Sequence, residues 1–183
     1  MPSVCWIRIP PTRLLPARLF EKPASVVKEL VENALDAGAD KIEVTIFAGG
    51  TEYIRVTDNG CGMSEADAKM AVLRHATSKL TKAEDLLSLN TLGFRGEALP
   101  SIASVSNFTL LTRPESEEFA TSVHIDGGEN TEVTASGGST GTTVIVENLF
   151  FNVPARRKFL KANSTELSIF WQSLNVLLWF IPK

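Results

Sequence analysis

The chain has 183 residues, 44% of them hydrophobic, which suffices for one substantial core and one domain. Its net charge of -3 excludes a general electrostatic attraction to nucleic acid, so any such contact must come from a local patch. Cys5 and Cys61 are the only thiols, and His75 and His124 the only imidazoles; they are too few and too scattered for a disulfide framework, a zinc site or a metal cluster.

In chain order, the first 20 residues hold three Arg and four Pro without an uninterrupted apolar core, so no signal peptide is read and the cytosol is the expected location. The spacing then predicts a helix over 24–37. Val27, Leu30, Val31 and Ala34 fall at i, i+3, i+4 and i+7, Pro23 suits the first turn, and Gly38 suits the C-terminal cap. Glu29 and Asn33 lie one turn apart on a flank of that stripe. Such a pair is either a solvated face or the carboxylate and carboxamide that serve one metal-bound phosphate.

Strands are expected near 41–47 and 52–58. In the second, Ile54, Val56 and Asp58 share a face by the period-two rule, so Asp58 points inward with the aliphatics and needs a partner there. In the run Asp58-Asn59-Gly60-Cys61-Gly62 the glycines permit a sharp turn and the close approach of a flat ligand. The competing reading is a hairpin with an Asx turn. Ser64 with Asp67 marks the start of a helix over 64–74, and Thr81 with Glu84 the start of another. Between them, the string RHATSK at 74–79 reads as a mobile connection of the kind lids are built from.

The run Leu92-Gly93-Phe94-Arg95-Gly96-Glu97-Ala98-Leu99 precedes a helical pattern over 96–104. Free backbone N–H groups at a glycine-rich helix start form an anion site suited to a polyphosphate; the plain alternative is an ordinary loop-to-helix junction. The chain contains no G-x-x-x-x-G-K-[ST] and no G-x-G-x-x-G, so P-loop and Rossmann readings both fail. Alternating strands follow near 107–113, 119–126, 131–135 and 142–149, with loops at 114–118 and 136–141. Together these elements predict an α+β sandwich, a mostly antiparallel sheet with helices on one face and the ligand between them. Arg156, Arg157 and Lys158 form the one basic trio, either a surface helix flank or a nucleic-acid contact. Beyond it, the 15 residues from Ile169 to Lys183 are apolar on several faces and include Gln172, Ser173 and Asn175. That run is shorter than the ~20 residues a membrane span needs, and reads as an imperfectly packed helix.

The order of Glu29 and Asn33 on a helix, DNGCG at 58–62, GFRGEAL at 93–99 and Gly141-Thr142-Thr143 before a strand resembles the GHKL (Bergerat) ATPases, which include gyrase B, Hsp90, histidine kinases and MutL. Within that group RHATSKL at 74–80, TLGFRGEALPSIASVS at 91–106 and NVPARRKFL at 152–160 are similar to the MutL mismatch-repair family, and argue against a gyrase-like or chaperone ATPase. The resemblance runs from about Lys22 to Leu167.

The resemblance implies a Mg2+-dependent ATP-binding domain that hydrolyses ATP slowly in a complete protein. By it, Glu29 would orient and deprotonate the attacking water, and Asn33 would ligate the Mg2+. Asp58 would accept from the adenine amine, Thr143 would hold the same edge through water, and Gly60, Gly62 and Met63 would line the base. Thr77, Ser78 and the backbone of Gly93, Phe94, Arg95, Gly96, Glu97, Ala98 and Leu99 would form the lid over the phosphates, with Arg95 and Lys79 as nearby positive charge. The partners implied are a MutS-type mismatch sensor, DNA and a second MutL subunit, with no membrane; the compartment would be a bacterial cytosol, or a nucleus in a eukaryote.

Both ends depart from the family pattern. Where MutL proteins carry Ile-Ala-Ala-Gly-Glu-Val before the first helix, this chain reads Leu14-Leu15-Pro16-Ala17-Arg18-Leu19-Phe20. The expected organisation is therefore a divergent arm over 1–22, the ATP-binding domain over 23–167 and a divergent apolar helix over 168–183, without a defined dimer. Ending before the family's second domain, which supplies a phosphate-reaching lysine, the chain could also be an ATP-holding module without turnover.

Overall fold

The computed structural model describes residues 22–73 and 98–160. The divergent arm up to residue 21, the connection at 74–79, the Thr81–Glu84 pair and the apolar C-terminal run lie outside the described residues.

Helix α1 spans Pro23–Asp36 and begins with its proline in the first turn, where the missing N–H costs nothing. Its apolar stripe is buried as expected through Val27, Leu30, Val31 and Ala34, with Val26 added. Strand β1 (Ile42–Phe47) leads through a 3-10 turn at Ala48–Gly50 into β2 (Tyr53–Asp58). Helix α2 (Glu65–Ala71) starts at the expected cap: Ser64 Oγ accepts from the Asp67 N–H at 3.2 Å and donates to the Asp67 carboxylate at 2.7 Å. Then come α3 (Ala98–Ala103), β3 (Asn107–Arg113), β4 (Ala120–Asp126), β5 (Glu129–Ser136), β6 (Gly141–Glu147) and a short α4 (Pro154–Lys158).

The six strands form one antiparallel sheet in the order β1-β2-β6-β3-β4-β5. The last strand in sequence is thus inserted between β2 and β3. The pairing registers line up three cross-strand rows on the helix-covered face. The first is Ile46, Ile54, Val146, Phe108 and Ile125; the second is Val44, Val56, Val144, Leu110, Val123 and Val133. These rows and the stripe of α1, with Ile102 and Ala103 of α3 and Ala68 of α2, make one buried cluster. Each large side chain fully buried in it stabilises the fold by roughly 1.5–3 kcal/mol. The third row, Ile42, Asp58, Thr142, Thr112, Thr121 and Ala135, is polar at its centre and closes one end of the same face.

The expected strand over 142–149 instead stops at Glu147. Asn148 (φ 52°) and Phe150 (φ 65°) take left-handed backbone conformations, and the turn they form sends Leu149 and Phe150 into the core. A non-glycine residue pays a small conformational cost there, offset here by burial of the two side chains. Strand β5 is longer than the expected 131–135; it is an edge strand of mostly exposed residues, so alternation marked only its middle. The basic trio lies on α4, with the Arg156 guanidinium 6.0 Å from the centre of the Phe150 ring.

Candidate functional site

Asp58 ends β2 where the third row meets the helices. Its Oδ1 accepts from the Gly60 N–H at 2.8 Å and the Thr142 N–H at 3.3 Å, so Oδ2 receives no hydrogen bond from a described residue. The first of these bonds is the Asx turn that the competing reading required. The hairpin does not follow, because β2 pairs with β1 and β6 and the chain continues into α2. Burial pushes the Asp58 carboxyl above the usual carboxylate range, and the two backbone N–H groups oppose that shift without cancelling it.

The loop after Asp58 is held against the end of α1. Cys61 N–H donates to Ala37 O at 3.0 Å, and Asn59 Oδ1 accepts from the N–H groups of Asp40 (3.1 Å) and Lys41 (2.9 Å). This contact links Asp58 to the helix that carries Glu29 and Asn33, both half-buried. The acid that α1 buries most is Glu32, ion-paired with Lys28 at 3.4 Å.

Three glycines in this region are held by close backbone contact: a Cβ at Gly60 would lie 2.9 Å from Ala37 O, and the other two are tighter still. Gly62 has φ +67°, and a Cβ there would lie 2.2 Å from Arg113 O; Gly141 has φ +116°, and its Cβ would lie 2.1 Å from Asp58 O. The sequence reading assigned Gly62 to the approach of a ligand; what approaches it is the carbonyl of β3. The Arg113 side chain fixes the neighbouring loops by donating to Gly138 O, Glu117 O and Thr140 Oγ1, each at 2.8 Å.

The sequence placed Thr143 beside Asp58, whereas the register brings Thr142 there. Thr143 pairs with Thr57 on the opposite face, where its hydroxyl donates to Thr57 Oγ1 at 3.2 Å. Successive strand residues point to opposite faces, so a one-residue offset moves the side chain out of the site. Thr112, also missed, is 1% exposed, with Oγ1 2.9 Å from Met63 N, 3.1 Å from Gly141 O and 3.0 Å from Thr142 Oγ1. Its signal was legible as a polar residue continuing the buried alternation of Phe108 and Leu110. Of the remaining residues, Ala98 and Leu99 open α3 and pack against the core. Thr77, Ser78, Lys79, Gly93, Phe94, Arg95, Gly96 and Glu97 lie outside the described residues.

The arrangement is a partly desolvated acceptor beside a threonine hydroxyl, at the end of an apolar face under a helix carrying a carboxylate and a carboxamide. A family model described as histidine kinase-, DNA gyrase B-, and HSP90-like ATPase matches residues 21–140. The DNA mismatch repair protein MutL of Heliobacterium modesticaldum is 58% identical over 148 residues, 81% of this chain and 22% of its own length. That of Geobacter sulfurreducens is 58% identical over 154 residues, 84% of this chain and 25% of its own length. This chain thus spans about a quarter of the length of these relatives. The Aquifex aeolicus MutL ATPase domain complexed with ADP superposes with a TM-score of 0.69 at 37% identity, covering 85% of this chain and 54% of that one. Fold, motifs and relatives agree: the chain belongs to the histidine kinase-, DNA gyrase B- and HSP90-like ATPase family and is a MutL-type ATPase domain.

Proposed function

We propose that this domain binds ATP with Mg2+ and, within a complete mismatch repair protein, hydrolyses it slowly. The observation that carries the reading is Asp58, a desolvated carboxylate whose Oδ1 is held by backbone N–H groups while Oδ2 takes no hydrogen bond from a described residue. Partial burial disfavours the charged form of this carboxyl, and the adenine amine would give its Oδ2 a hydrogen-bond donor. The ADP complex of the Aquifex aeolicus relative supports the choice of nucleotide.

In this reading Thr142 takes the place expected for Thr143 beside the base. Asn33 supplies a hard oxygen ligand to Mg2+, which neutralises phosphate charge when bound, and Glu29 takes the proton of the attacking water. Mismatch sensor, DNA and second subunit belong to the same reading for the whole protein.

The test separates binding from chemistry on α1. Glu29→Ala should leave the calorimetric ATP affinity of this chain nearly unchanged, while lowering turnover of the full-length protein on the order of 100 to 10,000-fold. Asn33→Ala should abolish the Mg2+-dependent part of binding. Loss of affinity and turnover together in both variants would contradict the assignment.

A further inference from the structure

The third row of the sheet continues past Thr112. Its next member, Thr121 on β4, lies two strands and about 10 Å from Thr142, on the same helix-covered face. Thr121 is only 6% exposed, yet its hydroxyl makes no hydrogen bond with a described residue, whereas Thr112 beside it meets Met63 N, Gly141 O and Thr142 Oγ1. A buried hydroxyl without a partner forfeits the hydrogen bonds that water would give it. Thr121 lines a cleft of about 370 Å³, a volume within the range of ligand sites.

The lining of that cleft has one chemical character. Val133 and Ala135 of β5 continue its floor with apolar surface, and Phe119, 62% exposed, stands where the chain enters β4. Glu65, Glu117 and Glu118 bring three carboxylates. Lys69 engages Glu65 at 2.5 Å, but neither Glu117 nor Glu118 is ion-paired among the described residues. The nearby Arg113 guanidinium gives its N–H groups to Gly138 O, Thr140 Oγ1 and the Glu117 backbone carbonyl, and to neither carboxylate. Acceptors without matching donors, an apolar floor and an aromatic ring together complement a cation carried on an apolar stem. An anion would be repelled, and a purely apolar group would leave the Thr121 hydroxyl unpaired.

We propose that this cleft is a second binding site, for an organic cation on an aliphatic stem: a guanidinium or ammonium group held by Glu117 and Glu118, donating an N–H to Thr121 Oγ1, with its stem on Val133 and Ala135. The same chemistry is offered by an arginine or lysine side chain of a protein and by a free diamine, and the probes below separate these sources. Neither Asp58 nor α1 takes part, so the site is independent of the nucleotide reading.

The experiment is NMR titration of the isotope-labelled chain, without nucleotide, with N-acetyl-arginine amide, N-acetyl-citrulline amide (its neutral counterpart) and putrescine. The arginine amide should shift the backbone signals of Ala120, Thr121, Val133 and Ala135, and bind at least about tenfold tighter than the citrulline amide, since only the cation makes charge-assisted hydrogen bonds. Tighter binding of putrescine than of the arginine amide would assign the site to free diamines, and the reverse to a protein side chain; either result supports a cation site. Thr121→Val should melt at or above the wild-type temperature, because it removes a hydroxyl without a partner, yet bind the arginine amide about threefold to tenfold more weakly. Glu117→Gln combined with Glu118→Gln should lose the preference for arginine over citrulline. Shifts centred outside the cleft, equal binding of the arginine and citrulline amides, or unchanged affinity in Thr121→Val would overturn the proposal. Should the valine variant fail to fold, the paired glutamine variant decides, and a preserved preference for arginine there would overturn the proposal equally.

Discussion

At the scale of single residues, Asp58 is held at a cost that its ligand would relieve. Its carboxyl is raised by burial, so the protonated form favours folding. That contribution is fully present below the ordinary carboxylate value and is lost as pH rises through the higher folded value. At neutral pH the penalty for the charge is in force. Asp58→Asn removes it and keeps an oxygen for the Gly60 and Thr142 N–H groups. The variant should therefore match or exceed wild-type thermal stability near neutrality, with an advantage that grows as pH climbs out of the acid range and then levels. It should bind ATP more weakly, because an amide donor can replace the acceptor facing the amine. A variant less stable than wild type at neutral pH, by thermal melts across pH, would contradict this account. Alternation within β2 made the inward aim of Asp58 legible. The identity of its neighbour was not, because the contact with Thr142 joins residues 84 apart and depends on a strand register that no local pattern encodes.

At the scale of elements, helices and strands were legible where one face is buried, and lost definition where both faces see solvent or the backbone leaves its ordinary range. The stripe of α1 and the Ser64 cap illustrate the first case, β5 the second, and the turn through Asn148 and Phe150 the third. The close approach of the start of β6 to the end of β2, its neighbour in the sheet, is a further local constraint, set by Gly141. Gly141→Ala combines φ +116° with a Cβ 2.1 Å from Asp58 O, and should destabilise the domain by roughly 2 kcal/mol or more. Gly137→Ala, in the same connection but with nothing within 4 Å of the added Cβ, should stay within about 0.5 kcal/mol of wild type. Urea denaturation of the two variants checks the contrast, and equal losses would show that the crossing tolerates a side chain.

At the scale of the whole molecule, the fold sorts polarity by rows. Two apolar rows hold the helices to the sheet, and the third, centred on Asp58, Thr142 and Thr112, leaves hydrogen-bonding groups at the edge of that apolar face. The α+β class was legible from element order, and the nucleotide motifs from their residues. The insertion of β6 between β2 and β3 was not, since strand order follows from long-range packing, and that insertion is what assembles the row. If the row reads adenine, base identity should govern affinity. Calorimetric titration of the chain with ATP and with GTP, each with Mg2+, tests this most directly. The guanine edge sets a carbonyl against the Asp58 carboxylate, so ATP should bind at least about tenfold tighter. Equal affinity for the two nucleotides would contradict the account.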